Sequence, residues 1–246
     1  MESICCISTD INADTNTDKS CQAGKGGNKM NRDKVKVAQI EVCETAKKMS
    51  SSGLVAGTWG NISARVDDEY MVITPSGMDY DRLFPEDMVL VNIKTFEYEG
   101  KLKPSVEVPV HAAVYLDRET VNGIVHTHST YALTMATARK PIPPICDDQV
   151  QILGGDVRLA DYTMPGSKEM AASVVEALKD RGGALIANHG AITVGRTLPE
   201  AFTASQVLEK TALIYINTQS IGGPVEISRA DVEFFHDFFM TKYGQK

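Results

Sequence analysis

The sequence has no apolar run close to the roughly 20 residues that a helix needs to cross a bilayer. Residues 1–11 contain acids and cysteines where a secretory leader would have a basic stretch and then a long apolar one. Basic residues are not in excess either, because 25 Lys and Arg face 32 Asp and Glu, for a net charge of −7. We therefore expect a cytoplasmic protein that binds neither a membrane nor nucleic acid.

Cysteine is scarce and poorly spaced for structural use. The five residues are Cys5, Cys6, Cys21, Cys43 and Cys146. An odd number without a CxxC pair argues against a disulfide framework and against a zinc knuckle. The pattern therefore predicts reduced thiols.

The chain divides by composition near residue 31. Residues 1–31 are rich in Asp, Asn, Ser, Thr, Lys and Gly and lack apolar periodicity, which predicts a flexible N-terminal extension. Its three cysteines could also form a metal or redox tether, although a disordered leader is the simpler interpretation. Residues 32–246 are long enough for one domain with one well-buried core.

Hydrophobic spacing predicts an alternation of helices and strands over residues 32–246. We expect helices at 33–53, from Pro109, from Ser129 to Ala138, after Ser167, at 199–217 and at 229–243. We expect strands at 60–65, 70–74, 88–93, 123–129, 156–161 and 184–195, the last being two strands or one strand bent at His189-Gly190. A hairpin turn is predicted at Glu99-Gly100, and the prolines after residue 140 predict an extended segment that reaches Asp148.

The stretch Gly123-Ile-Val-His-Thr-His-Ser129 holds the strongest chemical signal. Alternate side chains of a strand point to the same face, so His126 and His128 should project together. Two such imidazoles can bind one ion with bonds of about 2.0 to 2.1 Å. The alternative is a pair of hydrogen-bonded histidines on a solvated strand.

Other residues could complete a metal site. His189 lies beside a glycine, and Glu107 precedes the Pro109 helix, where a carboxylate could equally cap that helix. Three histidines with one carboxylate match the ligand preference of zinc. His111 falls within the predicted helix, and we expect it to support the site from behind or to pack in the core.

Two glycine turns, at Gly60-Asn61 and Ser76-Gly77, expose backbone amides that could hold a phosphate. Each could also be an ordinary hairpin turn.

Over residues 33–215 the chain resembles the zinc-dependent class II aldolase/adducin family, and within it the L-fuculose-phosphate aldolases. The resemblance lies in GNIS at 60–63, TPSG at 74–77, PSVEVPVH at 104–111, IVHTHS at 124–129, PGSKE at 165–169 and NHG at 188–190. It implies an α/β fold with a mixed, largely antiparallel central sheet and helices on both faces. It also implies a homotetramer whose active sites lie between subunits.

The resemblance assigns roles to the motif residues. It implies that His126, His128 and His189 bind Zn²⁺, for which Co²⁺ or Mn²⁺ could substitute. Glu107 resembles the family's acidic residue, which can bind the metal in the empty enzyme and acts as acid/base when substrate displaces it. The positions that correspond to substrate-phosphate contacts are Gly60, Asn61, Ser76, Gly77 and Ser105.

Two positions depart from the family pattern. Typical aldolases have PSSE, whereas Val106 replaces the second serine here and removes one possible hydrogen bond to phosphate. The tyrosine that protonates the aldehyde in the fuculose-phosphate enzyme is replaced by Asp148, counted back from Gly154-Gly155. Asp148, or Tyr243 from a neighbouring subunit, is a candidate substitute for that proton donor.

The resemblance implies reversible retro-aldol cleavage of a ketose 1-phosphate, L-fuculose 1-phosphate or a related deoxyketose phosphate, to dihydroxyacetone phosphate and an aldehyde. Three enzymatic alternatives remain: an L-ribulose-5-phosphate 4-epimerase, in which aspartate is typical at position 107, a methylthioribulose-1-phosphate dehydratase, and a Schiff-base aldolase that uses Lys168. A binding scaffold like adducin is the non-enzymatic alternative, although loss of the metal ligands would mark it.

Overall fold

The computed structural model describes residues 31–245. Apart from Asn31, the predicted N-terminal extension and its three cysteines lie outside the described residues. Asn31 is the N-cap of the first helix, where its side chain accepts hydrogen bonds from the backbone N–H groups of Asp33 and Lys34.

Helices and strands alternate along most of the described chain. The helices are α1 Arg32–Ser51, α2 Val108–Asp117, α3 Thr130–Thr137, α4 Asp147–Leu153, α5 Lys168–Leu178, α6 Leu198–Thr218 and α7 Arg229–Lys242. The strands are β1 Asn61–Arg65, β2 Tyr70–Ile73, β3 Val89–Asn92, β4 Tyr98–Glu99, β5 Gly123–Thr127, β6 Arg158–Ala160, β7 Gly183–Ile186 and β8 Gly190–Gly195. Short 3₁₀ turns occupy Tyr80–Arg82, Pro85–Asp87 and Gln219–Ile221.

The eight strands form one sheet in the order β4-β3-β2-β1-β5-β8-β7-β6. Every neighbouring pair is antiparallel except β6 and β7. The predicted mixed, largely antiparallel sheet is therefore confirmed. Strands β1, β5 and β8 lie side by side in the middle of the sheet. Thr127 of β5 pairs with Ala191 of β8 although 64 positions separate them in the sequence, so local sequence patterns could not predict this pairing.

Helices cover both faces of the sheet, as expected. One core packs α2 and α5 against alternate strand residues such as Ile124, Ile186 and Ile192. The other core packs α3, α4 and α6 against the intervening residues, among them Leu185 and Ala191. His126 shares the face of Ile124, since alternate residues of a strand point the same way, and it therefore lies on the α2 side.

Two predictions of local structure are wrong. Asp147 and Asp148, predicted to end an extended segment, instead begin helix α4, because carboxylates favour a helix N-terminus; Gly154, with φ of 79°, ends the helix. Glu99 belongs to β4 and not to a turn. The turn begins earlier, where the Asn92 side chain accepts hydrogen bonds from the backbone N–H groups of residues 94 and 95.

The other predicted elements are present with small shifts of their ends. The segment 184–195 forms two strands, with His189 in the turn between them. Within residues 31–245, no helix combines the length and apolar character needed to span a bilayer.

Candidate active site

His126 and His128 project together, as the strand pattern predicts. His126 lies on β5 and is fully buried, and His128 follows directly after the strand. Their Nε2 atoms are 3.0 Å apart. Gly60 permits this packing, since a Cβ at that position would lie 2.8 Å from the carbonyl oxygen of His126.

His189 reaches the same place from the turn between β7 and β8. The preceding residue, Asn188, adopts a left-handed conformation with φ of 56°, and the Arg139 guanidinium donates two hydrogen bonds to its Oδ1. The following residue, Gly190, has no room for a side chain, because a Cβ there would lie 2.2 Å from the carbonyl oxygen of Thr127. This contact brings the turn against the end of β5.

The three imidazoles form a regular cluster. The ring centroids of each pair are 4.9 Å apart and the ring planes are nearly perpendicular. One nitrogen from each of His126, His128 and His189 lies within 4.8 Å of the other two. The structure therefore brings together the three histidines that the sequence proposed as a set.

The hydrogen bonding of His126 leaves one nitrogen free for a ligand. Its Nδ1–H donates to the backbone carbonyl of Ala191 at 2.9 Å, which makes Nε2 the unprotonated atom. Burial lowers the pKa of His126, and burial lowers the pKa of His128 to about 3. Both imidazoles are therefore neutral near pH 7, the form that binds metal.

Glu107 closes the fourth side of the cluster. Its two oxygens lie 3.3 Å from His126 Nε2 and 3.1 Å from His189 Nε2. Burial opposes ionisation, but His126, His189 and the Asn61 amide outweigh it and hold the pKa of this carboxyl well below its usual range. Although Glu107 is the N-cap of α2, its side chain makes no capping hydrogen bond, so the capping alternative is excluded.

The donor set fits a divalent transition metal. Two nitrogen ligands of a tetrahedral zinc ion lie roughly 3.3 Å apart, and the Nε2 atoms of His126 and His128 have a similar separation of 3.0 Å. Two lone pairs this close repel each other unless a proton or a cation lies between them. Three imidazoles beside one carboxylate are also the ligands that zinc prefers.

A cavity of about 550 Å³ opens beside the histidine cluster. The five residues proposed as phosphate contacts all line it, namely Gly60, Asn61, Ser76, Gly77 and Ser105. The N–H groups of Ser76 and Ser105 are bonded to backbone carbonyls. The Ser105 Oγ accepts a hydrogen bond from the Glu107 N–H, so its O–H and the Ser76 hydroxyl can donate to a ligand. The Gly77 N–H makes no hydrogen bond among the described residues.

Asn61 differs from the other four because its side chain is engaged on both sides. Its Nδ2 donates to Glu107 Oε2 at 2.9 Å, and its Oδ1 lies 2.6 Å from His111 Nε2. His111 is fully buried in α2, in agreement with the expectation that it supports the site or packs in the core.

Three candidate residues do not line this cavity in their own chain. Asp148, on α4, pairs with Lys210. Asp148 and Tyr243 line a different cavity, of about 380 Å³, between α4, α6 and the end of α7. Lys168 is exposed at the first turn of α5 and lines neither cavity.

Sequence reasoning missed several residues of the site. Trp59, Leu133 and Tyr162 give the cavity an apolar wall. Trp59 directly precedes the GNIS motif and Tyr162 lies just before the PGSKE motif, so proximity to a motif was the available signal.

Known proteins are similar to this chain in both sequence and fold. The family model for the class II aldolase and adducin N-terminal domain matches residues 40–216. The chain is 39% identical to a 5-deoxy-D-ribulose 1-phosphate aldolase of Bacillus thuringiensis serovar kurstaki, over 84% of this chain and 96% of that protein. It is 32% identical to a 5-methylthioribulose-1-phosphate/5-deoxyribulose-1-phosphate aldolase of Rhodospirillum rubrum, over 82% and 90%.

A solved structure of an L-fuculose 1-phosphate aldolase superposes with a TM-score of 0.79 at 32% identity, over 83% of this chain and 96% of that one. The chain belongs to the class II aldolase and adducin family. Within the family it is an aldolase, a carbon-carbon lyase, and it is similar to the fuculose-phosphate aldolases. Aldolases of this family depend on a metal, and the histidine cluster is a possible site for it.

Proposed function

We propose that this aldolase reversibly cleaves a 1-phosphorylated deoxyketose, L-fuculose 1-phosphate or a relative such as 5-deoxyribulose 1-phosphate, to dihydroxyacetone phosphate and a short aldehyde. The observation that carries the proposal is the convergence of Glu107 with three histidines at the floor of the 550 Å³ cavity. The apolar wall of Trp59, Leu133 and Tyr162 suits an aldehyde that ends in a methyl or similar apolar group.

His126, His128 and His189 would hold the metal, with Glu107 as a further ligand in the absence of substrate. Zn²⁺ is the expected ion, and Co²⁺ or Mn²⁺ could replace it. When bound, the ion supplies Lewis-acid polarisation of the substrate carbonyl.

Glu107 is the proposed acid/base. In the condensation direction its carboxylate removes a proton from the hydroxymethyl carbon of dihydroxyacetone phosphate. The electron pair left on that carbon forms the new bond to the carbonyl carbon of the aldehyde, and a donor protonates the aldehyde oxygen. In the cleavage direction these steps reverse, and Glu107 returns the proton to carbon.

The remaining chain residues hold the substrate. The hydroxyls of Ser76 and Ser105 and the N–H of Gly77 are available to donate to phosphate oxygens. Gly60 and Asn61 complete the proposed set of phosphate contacts. Asn61 would contribute its main chain, because its side chain is already hydrogen-bonded to Glu107.

Family likeness supports a homotetramer with active sites between subunits. In such an assembly Asp148 or Tyr243 of a neighbouring subunit would protonate the aldehyde oxygen. Neither residue lines the cavity that holds the histidine cluster in its own chain, which is compatible with this role.

The test is incubation of the metal-loaded protein with dihydroxyacetone phosphate and acetaldehyde, lactaldehyde or (methylthio)acetaldehyde, followed by identification of the products. We expect a ketose 1-phosphate from at least one aldehyde. Epimerisation of ribulose 5-phosphate, or dehydration of methylthioribulose 1-phosphate without any triose phosphate, would contradict the proposal.

The role of Glu107 is tested separately from the aldehyde. In D₂O the wild-type protein should exchange a proton on the hydroxymethyl carbon of dihydroxyacetone phosphate, and Glu107→Gln should lose this exchange by a factor of roughly 10² to 10⁴. Glu41→Gln, which changes an exposed carboxylate on α1, serves as the matched control. Exchange by a metal-loaded Glu107→Gln at the wild-type rate would refute the assignment.

A further inference from the structure

A line of buried hydrogen bonds leads away from Glu107 into the molecule. Glu107, His111 and Tyr115 follow each other at intervals of four and lie on one side of α2, and Asn61 and Ser63 are two apart and share one face of β1. All five residues are buried. The helix and the strand therefore present matching polar stripes to each other.

The stripes are joined by four short contacts. Asn61 Nδ2 lies 2.9 Å from Glu107 Oε2, and Asn61 Oδ1 lies 2.6 Å from His111 Nε2. Ser63 Oγ lies 2.7 Å from His111 Nδ1 and 2.8 Å from the hydroxyl of Tyr115. Every nitrogen and oxygen in the two stripes thus has a partner, as buried polar groups require.

The charge of Glu107 fixes the direction of the two hydrogen bonds made by the Asn61 side chain. An ionised carboxylate can only accept, so Asn61 must present its NH₂ group to Glu107 and its oxygen to His111. His111 must then donate from Nε2. In a neutral imidazole that donates from Nε2, Nδ1 is unprotonated and accepts from the Ser63 hydroxyl, 2.7 Å away.

The far end of the line is consistent with this direction. Burial raises the pKa of Tyr115, which therefore keeps its proton and donates it to Ser63 Oγ. The Arg65 guanidinium lies over the Tyr115 ring, 4.7 Å from its centroid, and closes the line.

We propose that His111 is a positioning residue for Glu107: its Nε2–H fixes the orientation of the Asn61 amide, and that amide holds the carboxylate beside His126 and His189. The proposal rests on the proposed function, since the position of Glu107 matters there as that of the acid/base. In the opposite His111 tautomer, Asn61 would turn its oxygen toward the carboxylate and repel it.

Two substitutions of His111 separate positioning from simple packing. Gln can place an amide NH₂ near the position of Nε2, so His111→Gln should keep the hydrogen bond to Asn61. Leu has a similar volume but no donor. We expect His111→Leu to lose roughly 10- to 100-fold in kcat with little change in KM, and His111→Gln to stay within about threefold of wild type.

His236→Gln is the control, because His236 bonds to the carbonyl of Gln151 and is not part of the line. Equal kcat values for His111→Leu and His111→Gln, whether both near the wild-type value or both far below it, would overturn the proposal.

The tautomer of His111 can be read in the wild-type protein, without a measurement of activity. Long-range ¹H–¹⁵N spectra of the metal-free full chain should show His111 protonated at Nε2 and unprotonated at Nδ1 from pH 5 to 8. The resonance is assigned by its loss in His111→Gln. A charged His111, or protonation at Nδ1, would overturn the positioning role even if His111→Leu failed to fold.

The activity measurement and the spectrum together distinguish a failure of this proposal from a failure of the proposed function. Absence of aldolase activity in wild-type protein would reject the function and leave the spectrum to decide the tautomer. Full wild-type activity with the wrong tautomer would reject only the role of His111.

Discussion

Val106 occupies the position at which the family resemblance predicts a serine. It lies between Ser105 and Glu107, is 67% exposed and lines the cavity. A serine there would add a hydroxyl near the proposed phosphate contacts. Since Val106 is exposed, its substitution should not disturb the core.

We predict that Val106→Ser lowers KM for the ketose phosphate about three- to tenfold and leaves kcat unchanged, because a hydrogen bond to phosphate strengthens substrate and transition-state binding alike. Steady-state kinetics measure both constants. Val106→Ala is the matched control, since it removes the same methyl groups without adding a hydroxyl. An equal fall in KM for the alanine variant would show that lost bulk is responsible.

His111 also gives the protein a pH-dependent stability. The unfolded imidazole takes up a proton below about pH 6.5, whereas the folded one does so only near pH 3. The folded state binds fewer protons between these values, so the free energy of unfolding must fall as the pH falls through this range.

Between pH 7.5 and pH 5 this single group should cost about 2 kcal/mol. Urea unfolding of chelator-treated protein at pH 7.5 and pH 5 measures this loss in the free energy of unfolding. We expect the loss to be smaller in His111→Gln than in the wild type by about 2 kcal/mol. The other buried histidines titrate in both proteins and cancel in the comparison. Identical losses would mean that His111 is not a buried neutral imidazole.

At the scale of elements, the active site depends on how closely β8 approaches β5. The ideal Cβ of an alanine at position 190 would lie 2.2 Å from the carbonyl oxygen of Thr127 and 3.2 Å from ring carbons of His126 and His128. Backbone atoms cannot yield as a flexible side chain can. The strands would have to separate at the point where the histidines meet.

Gly190→Ala should therefore reduce the free energy of unfolding by about 1 to 3 kcal/mol and also weaken zinc binding. Chemical denaturation and zinc titration against a competing chelator measure the two effects. Gly183→Ala is the control, since the nearest atoms to its Cβ are side-chain methyl groups of Leu208, Thr193 and Leu153, at 3.0, 3.1 and 3.3 Å, and not backbone atoms. Unchanged zinc affinity in Gly190→Ala would show that the cluster tolerates separation of the strands.

The parts of the fold that could be predicted from the sequence are those that depend on local periodicity. The pairing of His126 with His128 depends only on the two-residue period of a strand, and it is confirmed. Helix α1 follows from its apolar spacing. The approach of His189 depends on β5 and β8 pairing over a long stretch of chain, which no local pattern encodes, and only the family motifs indicated it.

The missed features have physical causes as well. Helix α4 has only seven residues, too few for a clear helical periodicity, and it follows several prolines, which favour an extended segment. The hydrogen bond between Asn61 and Glu107 joins residues 46 positions apart, and it depends on the packing of α2 against one face of the sheet. Such contacts are set by packing and not by local sequence.

At the scale of the whole molecule, the proposed proton donors raise the question of assembly. Tyr243 is 63% exposed at the end of α7 and, with Asp148, lines a cavity that contains none of the three clustered histidines. If either residue acts in catalysis, it must do so in a neighbouring chain. Light scattering should then give four times the 26.7 kDa chain mass, and a monomer would exclude this role.

A mixture of two inactive variants tests the sharing of sites directly. Tyr243→Phe keeps Glu107, and Glu107→Gln keeps Tyr243, so a mixed oligomer contains some sites with both groups only if each site takes its tyrosine from another chain. Unfolding and refolding the variants together at equal amounts should restore about a quarter of wild-type activity, as random placement around a closed ring requires. Each variant refolded alone is the control. An active Tyr243→Phe would remove Tyr243 as the donor, and the same experiment with Asp148→Asn would then decide the remaining candidate. An inactive mixture of two inactive variants would show that Tyr243 does not act across subunits.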